Sequence, residues 1–145
     1  EASAFSRPGD LSDLQDAAQI VPDVLERFGR LDAMVNNAGI AELAPMSEVP
    51  LGILQRALVV NSMAPAVLVR EAWAALRAAP KGVVINISSL SAIDPLPGCG
   101  AYGMSKSAIE GLTRSIHADS KNSDAGIRAF SIGRPTNTFP SCSPS

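Results

Sequence analysis

Three short apolar runs, separated by longer stretches with helical spacing, limit this chain to a small set of folds. The runs are residues 31–35, "GVVINISS" at 82–89 and "GIRAFSI" at 126–132. Each is bounded by glycine or polar turn residues, the pattern of a buried strand. Ahead of the first run, "LSDLQDAAQIVPDVLERFG" repeats apolar residues at Leu14, Ala18, Val21, Leu25 and Phe28, as an amphipathic helix does. Asp10 or Ser12 is placed to cap its start and Gly29 to close it. Pro22 predicts a kink or the start of a second segment. Residues 51 to about 78 read as a long helix, with Ser47 as N-cap, Pro50 in its first turn and a bend at Pro65. A third helix is predicted from about 101 to 120. Strands alternating with helices predict an α/β fold, a parallel sheet with helices on both faces. Ligands bind such sheets at the carboxyl ends of the strands. "NNAG" at 36–39 and "NISS" at 86–89 fall at those ends.

Composition narrows the function. The 145 residues suit one domain, and 46% hydrophobic against 18% charged residues supports a buried core. A net charge of -2 lacks the basic face that a nucleic-acid partner needs. No uninterrupted apolar run reaches the ~18 residues of a membrane span, so no membrane partner is expected. The opening "EASAFSRPGD" lacks the pattern of a secretion signal. Cys99 and Cys142 have no metal-ligand spacing, which predicts free thiols, no metal site and a reducing, cytoplasmic setting.

The chemistry centres on Tyr102, the single tyrosine, four residues before Lys106. On a helix these positions share a face about 6 Å apart. A nearby cation favours a phenolate, and a phenol that ionises more readily can exchange a proton with an alcohol or ketone oxygen. Ser89 ends the second strand, where a hydroxyl could stabilise charge developing on a substrate oxygen. The loop 90–100 would fold back and bring Ser89 and Tyr102 to one rim. Each feature has a plain alternative. A Tyr–Lys pair one turn apart is common on helix surfaces, "NNAG" can be any polar turn, "NISS" a strand end with capping serines, and Asn61 a solvated helix residue. Their order on an alternating α/β pattern is what gives them weight.

Taken together, "GDLSD" at 9–13, "VNNAG" at 35–39, Asn61, "VINISS" at 84–89 and "YGMSK" at 102–106 resemble the short-chain dehydrogenase/reductase family, in its single-domain branch. Ser89 lies thirteen positions before Tyr102, the family's serine-to-tyrosine spacing. The resemblance implies a Rossmann-like, doubly wound fold and oxidoreductase activity on an alcohol/carbonyl pair, with NAD or NADP as cofactor. It implies that Tyr102 is the general acid/base, and that Lys106 binds the nicotinamide ribose and assists the tyrosine. It implies that Ser89 polarises the substrate, and that Asn61 holds a helix bend and a water beside Lys106. Asn36, Ala38 and Gly39 would line the adenosine side and brace the sheet, and Asp10 and Leu11 would contact the adenine. A homodimer or homotetramer is implied, packed through the two long helices; "ALVVNSMAPAVLV" and a face with Ile109, Leu112 and Ile116 are the candidates.

The chain also departs from the family pattern. No Gly-rich turn is present to cradle a pyrophosphate, and the first two strands are not recognisable. Near the other end, Gly133 and Pro135 are in the wrong order for the family's Pro-Gly turn, with Thr136 or Thr138 as stand-ins for its threonine. The expectation is therefore a partial NAD(P)-binding domain at 1–132 with an irregular tail at 133–145. Residues 32–37, "DAMVNN", would form an exposed edge strand, and the segment alone would hold cofactor weakly. A non-catalytic remnant or binding module of the same fold is the main alternative. A sugar-nucleotide epimerase or dehydratase relative is a weaker one, since such relatives share Tyr-x-x-x-Lys but not "NNAG" and "NISS". His117 is expected on a helix surface, and Trp73 and Met63 in packing.

Overall fold

A computed structural model describes residues 4–133. In chain order the elements are α1 (Leu14–Phe28), β1 (Ala33–Asn36), α2 (Leu51–Leu58), a π-helical turn (Val59–Met63), α3 (Ala64–Ala78), β2 (Val83–Ile87), a 3-10 turn (Leu90–Ala92), α4 (Gly100–Asn122) and β3 (Arg128–Ile132). The strands pair in parallel in the order β1-β2-β3, with Val35 opposite Ile85 opposite Phe130, and Asn36 opposite Asn86 opposite Ser131. The expected α/β alternation and parallel sheet are present.

Successive strand residues point to opposite faces, and here the two faces differ. Val84 is fully buried among Val21 of α1, Val69, Ala72 and Leu76 of α3, Ile116 of α4, and Ala125 and Ile127. Burying a side chain such as Leu76 or Val84 contributes about 1.5–3 kcal/mol. On the other face, Val35, Phe130 and Ile132 are 57%, 50% and 53% exposed. The helices thus form one layer. The second layer expected of a doubly wound sheet has no counterpart among the described residues, and that is where the fold is incomplete. β1 is an edge strand, as expected.

Several boundaries differ from the sequence reading. α1 is capped by Asp13, whose side chain accepts from Gln15 N and Asp16 N. Asp10 instead closes a turn, its Oδ1 accepting from Ser12 N at 2.8 Å and Ser12 Oγ at 2.7 Å. Gly29 closes α1 at φ 71°. The helix runs on through Pro22, which faces solvent, while Ala17 and Val21 are buried on the inner side. Ser47 does not cap α2. Pro50 holds the cap position with extended backbone, and the residue before a proline disfavours helix, so the helix cannot reach back to Ser47.

The bend expected at Pro65 is displaced upstream into the π-helical turn. Proline has no N–H to donate to the Asn61 carbonyl, and its ring crowds that carbonyl. The ladder is reset one residue wider, with Ala64 N donating to Val59 O. The whole stretch Leu51–Ala78 is 28 residues and holds an 18-residue window with a mean hydropathy of 1.4, long and apolar enough by length and composition to cross a membrane. Here Ala57, Val60, Ala64, Val69, Ala72 and Leu76 are buried within the helical layer.

The expected assembly face also changes. Ile109 and Ile116 are 1% and 2% exposed inside the chain, so neither is available to a partner. Met63 is 47% exposed rather than packed. Trp73 packs at the edge of the core, and His117 is exposed on α4.

The segment before α1 is held by an ion cluster that no sequence pattern announced. Arg7 pairs with both Asp16, at 2.6 Å, and Asp23. Asp16 also accepts from Asp10 N at 2.6 Å, and Phe5 meets Phe28 edge-on at 6.3 Å. The hydrogen bond from Arg7 holds the Asp16 carboxyl below its ordinary range, and bonds from Gln19 and Arg7 do so for Asp23. Carboxylates with depressed values stabilise the fold above their unfolded value and lose that contribution as pH falls through the folded one. Arg7→Ala should therefore lower the melting temperature at pH 7, with the gap closing below about pH 4, the unfolded aspartate value. Thermal melts of both proteins between pH 7 and 3 check this; a gap that stays constant with pH would contradict it.

Candidate active site

The ends of β1 and β2 are joined by buried amides. Asn36 Nδ2 donates to Asn86 Oδ1 at 2.8 Å, Asn86 Nδ2 to Thr113 Oγ1 at 2.8 Å, and Thr113 Oγ1 to the Ile109 carbonyl at 2.9 Å. Asn36 is 8% exposed and Asn86 fully buried. A buried polar group left unpaired costs about 1–3 kcal/mol, so this chain is held as a unit. It fixes where the 36–40 and 88–92 segments leave the sheet and how α4 is turned beneath them. Asn36 thus braces the sheet through a buried amide.

The π-helical turn carries Asn61 inward. Its Oδ1 accepts from Ile40 N at 2.8 Å, and its Nδ2 donates to Ile40 O at 2.8 Å and Ser105 Oγ at 2.9 Å. The "NNAG" loop is thereby drawn onto α4. A Cβ added at Gly39 would lie 3.2 Å from Asn61 Oδ1 and 3.5 Å from Lys106 Nζ, so glycine is what permits this approach. Ala38 and Gly39 are themselves exposed.

Lys106 is 4% exposed. Its Nζ donates to the Ile87 carbonyl at 2.6 Å and lies 5.7 Å from the centroid of the Tyr102 ring. No carboxylate pairs with it within 4 Å among the described residues. Burial pushes its ammonium below the ordinary lysine range. One turn of helix therefore brings the cation to the phenol, while the hydrogen bond to Ile87 ties it to the end of β2.

Ser89 follows in extended backbone and starts the 3-10 turn, its Oγ accepting from Ser91 N at 3.2 Å. The loop then returns along α4. Ser107 Oγ donates to Ala92 O at 2.6 Å, and the Ser91 carbonyl lies where a side chain at Gly103 would sit. Gly103 adjoins Tyr102, so the loop that follows Ser89 packs against the first turn of α4. Ser89 and Tyr102 are both half-buried. The 41–50 loop is tied to the 90–99 loop, with Ala44 N donating to Gly98 O at 3.0 Å.

Asp10 and Leu11 line a cavity of about 410 Å³ together with Ser12, Ile40, Arg56 and Val60. Hydrogen bonds from the Ser12 hydroxyl and N–H hold the Asp10 carboxyl below its ordinary range. A larger cavity, about 580 Å³, lies among Arg70, Trp73, Asp119, Asn122 and Ser123, without any of these groups. Among the described residues no group of three or more His, Cys, Asp or Glu side chains could hold a metal ion. Cys99 is a buried free thiol; Cys142, Pro135, Thr136 and Thr138 lie outside the described residues. Sequence reasoning missed Ile40, Asn86, Ser105 and Thr113. Only Asn86 left a signal, a polar residue inside an otherwise apolar strand.

The family model described as short chain dehydrogenase matches residues 1–136. An oxidoreductase of Thermotoga maritima, described as uncharacterised, is 36% identical over 124 residues, covering 86% of this chain and 48% of that protein. A hydroxynaphthalene reductase of Aspergillus fumigatus is 34% identical over 116 residues, covering 80% and 42%. A metagenomic short-chain oxidoreductase solved in complex with NADP superposes with a TM-score of 0.84 at 30% identity, over 92% of this chain and 60% of that one. A Brucella ovis oxidoreductase of the short chain dehydrogenase/reductase family, solved with partially ordered NAD, gives 0.77 at 34% identity, over 86% and 60%. The chain spans about half the length of the curated relatives it matches.

The buried ammonium yields a test of the site's electrostatics. A lysine whose value is depressed on folding destabilises the native state at neutral pH. That penalty fades as pH rises through the folded value, and it is gone above the unfolded value of about 10.4. The Lys106→Met variant should therefore gain melting temperature relative to the parent at pH 7, and the difference should shrink by about pH 10.5. Paired melts at the two pH values measure it. A difference that does not change with pH would mean that the ammonium is fully solvated.

Proposed function

Because the chain belongs to the short-chain dehydrogenase family, we propose that it carries the catalytic segment of an NAD- or NADP-dependent oxidoreductase interconverting an alcohol and a ketone or aldehyde. The observation that carries the reading is a buried cation, Lys106, set 5.7 Å from the ring of the chain's single tyrosine. In the reducing direction, the Tyr102 hydroxyl gives its proton to the substrate oxygen, and the Lys106 ammonium stabilises the phenolate left behind. Ser89 Oγ receives a bond from Ser91 N, and its own proton is available to the same substrate oxygen. Asn61 holds the 36–40 loop beside Lys106. The nicotinamide cofactor, when bound, supplies or accepts the hydride.

The residues fit that cofactor in part. The cavity at Asp10, Leu11, Ile40 and Val60 suits an adenosine. Lys106 uses one of its three N–H groups on Ile87, which supports a ribose contact. A pyrophosphate is held by free backbone N–H groups at a helix N-terminus. That of α1 is closed by Asp13 and carries Asp16, so the described residues beside the cavity offer no such cradle. The second reading is a non-catalytic binding module of this fold, which would keep the cavity at Asp10 and Leu11 without the proton transfer. A small-molecule substrate, a homodimer or homotetramer and a cytoplasmic setting belong to the main proposal; its assembly face would be the outer surface of α2, α3 and α4 without Ile109 and Ile116.

Tyr102→Phe removes the transferable proton while keeping the ring. It should lower carbonyl reduction by roughly 10²-fold or more, with an unchanged circular-dichroism spectrum. Activity within a few-fold of an active parent would remove Tyr102 from its role. Lys106→Arg keeps the charge but replaces a compact ammonium with a planar fork. Weaker NADH or NADPH binding by calorimetry and a displaced pH–rate profile are expected; no change in either would leave Lys106 as a packing residue.

A further inference from the structure

We propose that Ser105 is a positioning residue of this site: its hydroxyl locks the Asn61 carboxamide, and through it the 36–40 loop, onto the α4 turn that bears Tyr102 and Lys106. Its catalytic meaning rests on the oxidoreductase reading above, whereas the mechanical link does not.

Ser105 has no exposed surface. Its Oγ donates to the Tyr102 carbonyl at 2.7 Å, one turn back in the same helix. The hydroxyl proton is then committed, and a lone pair faces outward to accept from Asn61 Nδ2 at 2.9 Å. Asn61 is 2% exposed and uses its carboxamide fully: Oδ1 and one Nδ2 proton grip both backbone groups of Ile40, and the other Nδ2 proton meets Ser105. The two bonds to Ile40 require the amide plane to face that backbone, and the third sets its rotation. Without the Ser105 hydroxyl, one N–H would be stranded in a site that water does not reach. A stranded donor favours rotation of the amide toward another acceptor, at the expense of Ile40. Gly39, next to Ile40, lies against both Asn61 Oδ1 and Lys106 Nζ. A loosened loop would therefore be felt at the lysine.

The structure also supplies a control. Ser62 Oγ donates to the Ser105 backbone carbonyl at 2.8 Å. It joins the same two helices, is also buried, and makes no contact with the Asn61 amide that the hydrogen bonds record. Amide hydrogen exchange at Ile40 separates the two serines. In Ser105→Ala, exchange at Ile40 should be about tenfold faster than in the parent, the scale of one lost buried hydrogen bond, and in Ser62→Ala it should stay within about twofold. In turnover assays, Ser105→Ala should lower kcat about tenfold with KM and cofactor Kd within about twofold, because the site is misaligned and not emptied. Unchanged Ile40 exchange in Ser105→Ala would overturn the proposal. So would equal acceleration in Ser62→Ala, which would indicate general loosening of the helix pair, or a rise in KM matching the loss of kcat. A parent protein that reduces no carbonyl would refute the functional reading alone, and the exchange comparison would still decide the link.

Discussion

The side-chain hydrogen bond between Asn36 and Asn86 connects the strand ends from which the 36–40 and 88–92 segments emerge. The residues face each other across the β1–β2 pair. A parallel pair has no tight turn to set its register, and a slip by one residue would send every side chain to the opposite face. Here such a slip would strand two buried amides and expose Val84. The penalty falls at the level where the chain leaves the sheet for the 36–40 loop and for Ser88–Ser89. The strands thus deliver their two loops at matched heights. Thr113 extends the constraint into α4, seven residues, or about two turns, beyond Lys106, so the helix that bears Tyr102 and Lys106 is turned by the same bond network.

A second constraint is the proline at 65. Removing one backbone donor costs the helix a bond, yet the resulting wide turn aims Asn61 at Ile40 and Ser105, where a regular α-helix would present a different residue. Local backbone cost is exchanged for a side chain with all its polar groups satisfied. Lys106 follows the same logic with a charge: the site buries an ammonium and gives it one backbone acceptor, the Ile87 carbonyl.

The strands were legible because apolar runs bounded by turn residues survive almost any context, and "GVVINISS" is such a run. Tyr102, Lys106, Ser89 and Asn61 stood out as candidates by spacing and order. The cap of α1 was misjudged because Asp13, which caps it, stands within four positions of Asp10 and Ser12, the two residues the sequence reading chose between, and only the backbone decides which one turns inward. Ser105 left no sequence signal. Its partner is forty-four residues away, and a serine inside a helix reads as neutral. Arg7 was silent for the same reason, since its two aspartates become neighbours only once α1 has formed. The single helical layer was hidden because alternation predicts crossovers but does not state which face each one takes.

Tyr102 being the only tyrosine has a consequence for how this protein can be observed. Phenol and phenolate differ in their ultraviolet absorption, and in most proteins many tyrosines blur that difference. Here every photon absorbed by a tyrosine comes from one ring, half-buried beside Lys106 and next to the turn made by Ser91. The tyrosine absorption of the chain is therefore a local instrument. A ligand that displaces solvent from that ring, or a proton that leaves it, is written without a label into a difference spectrum, over the constant absorption of the single tryptophan, Trp73.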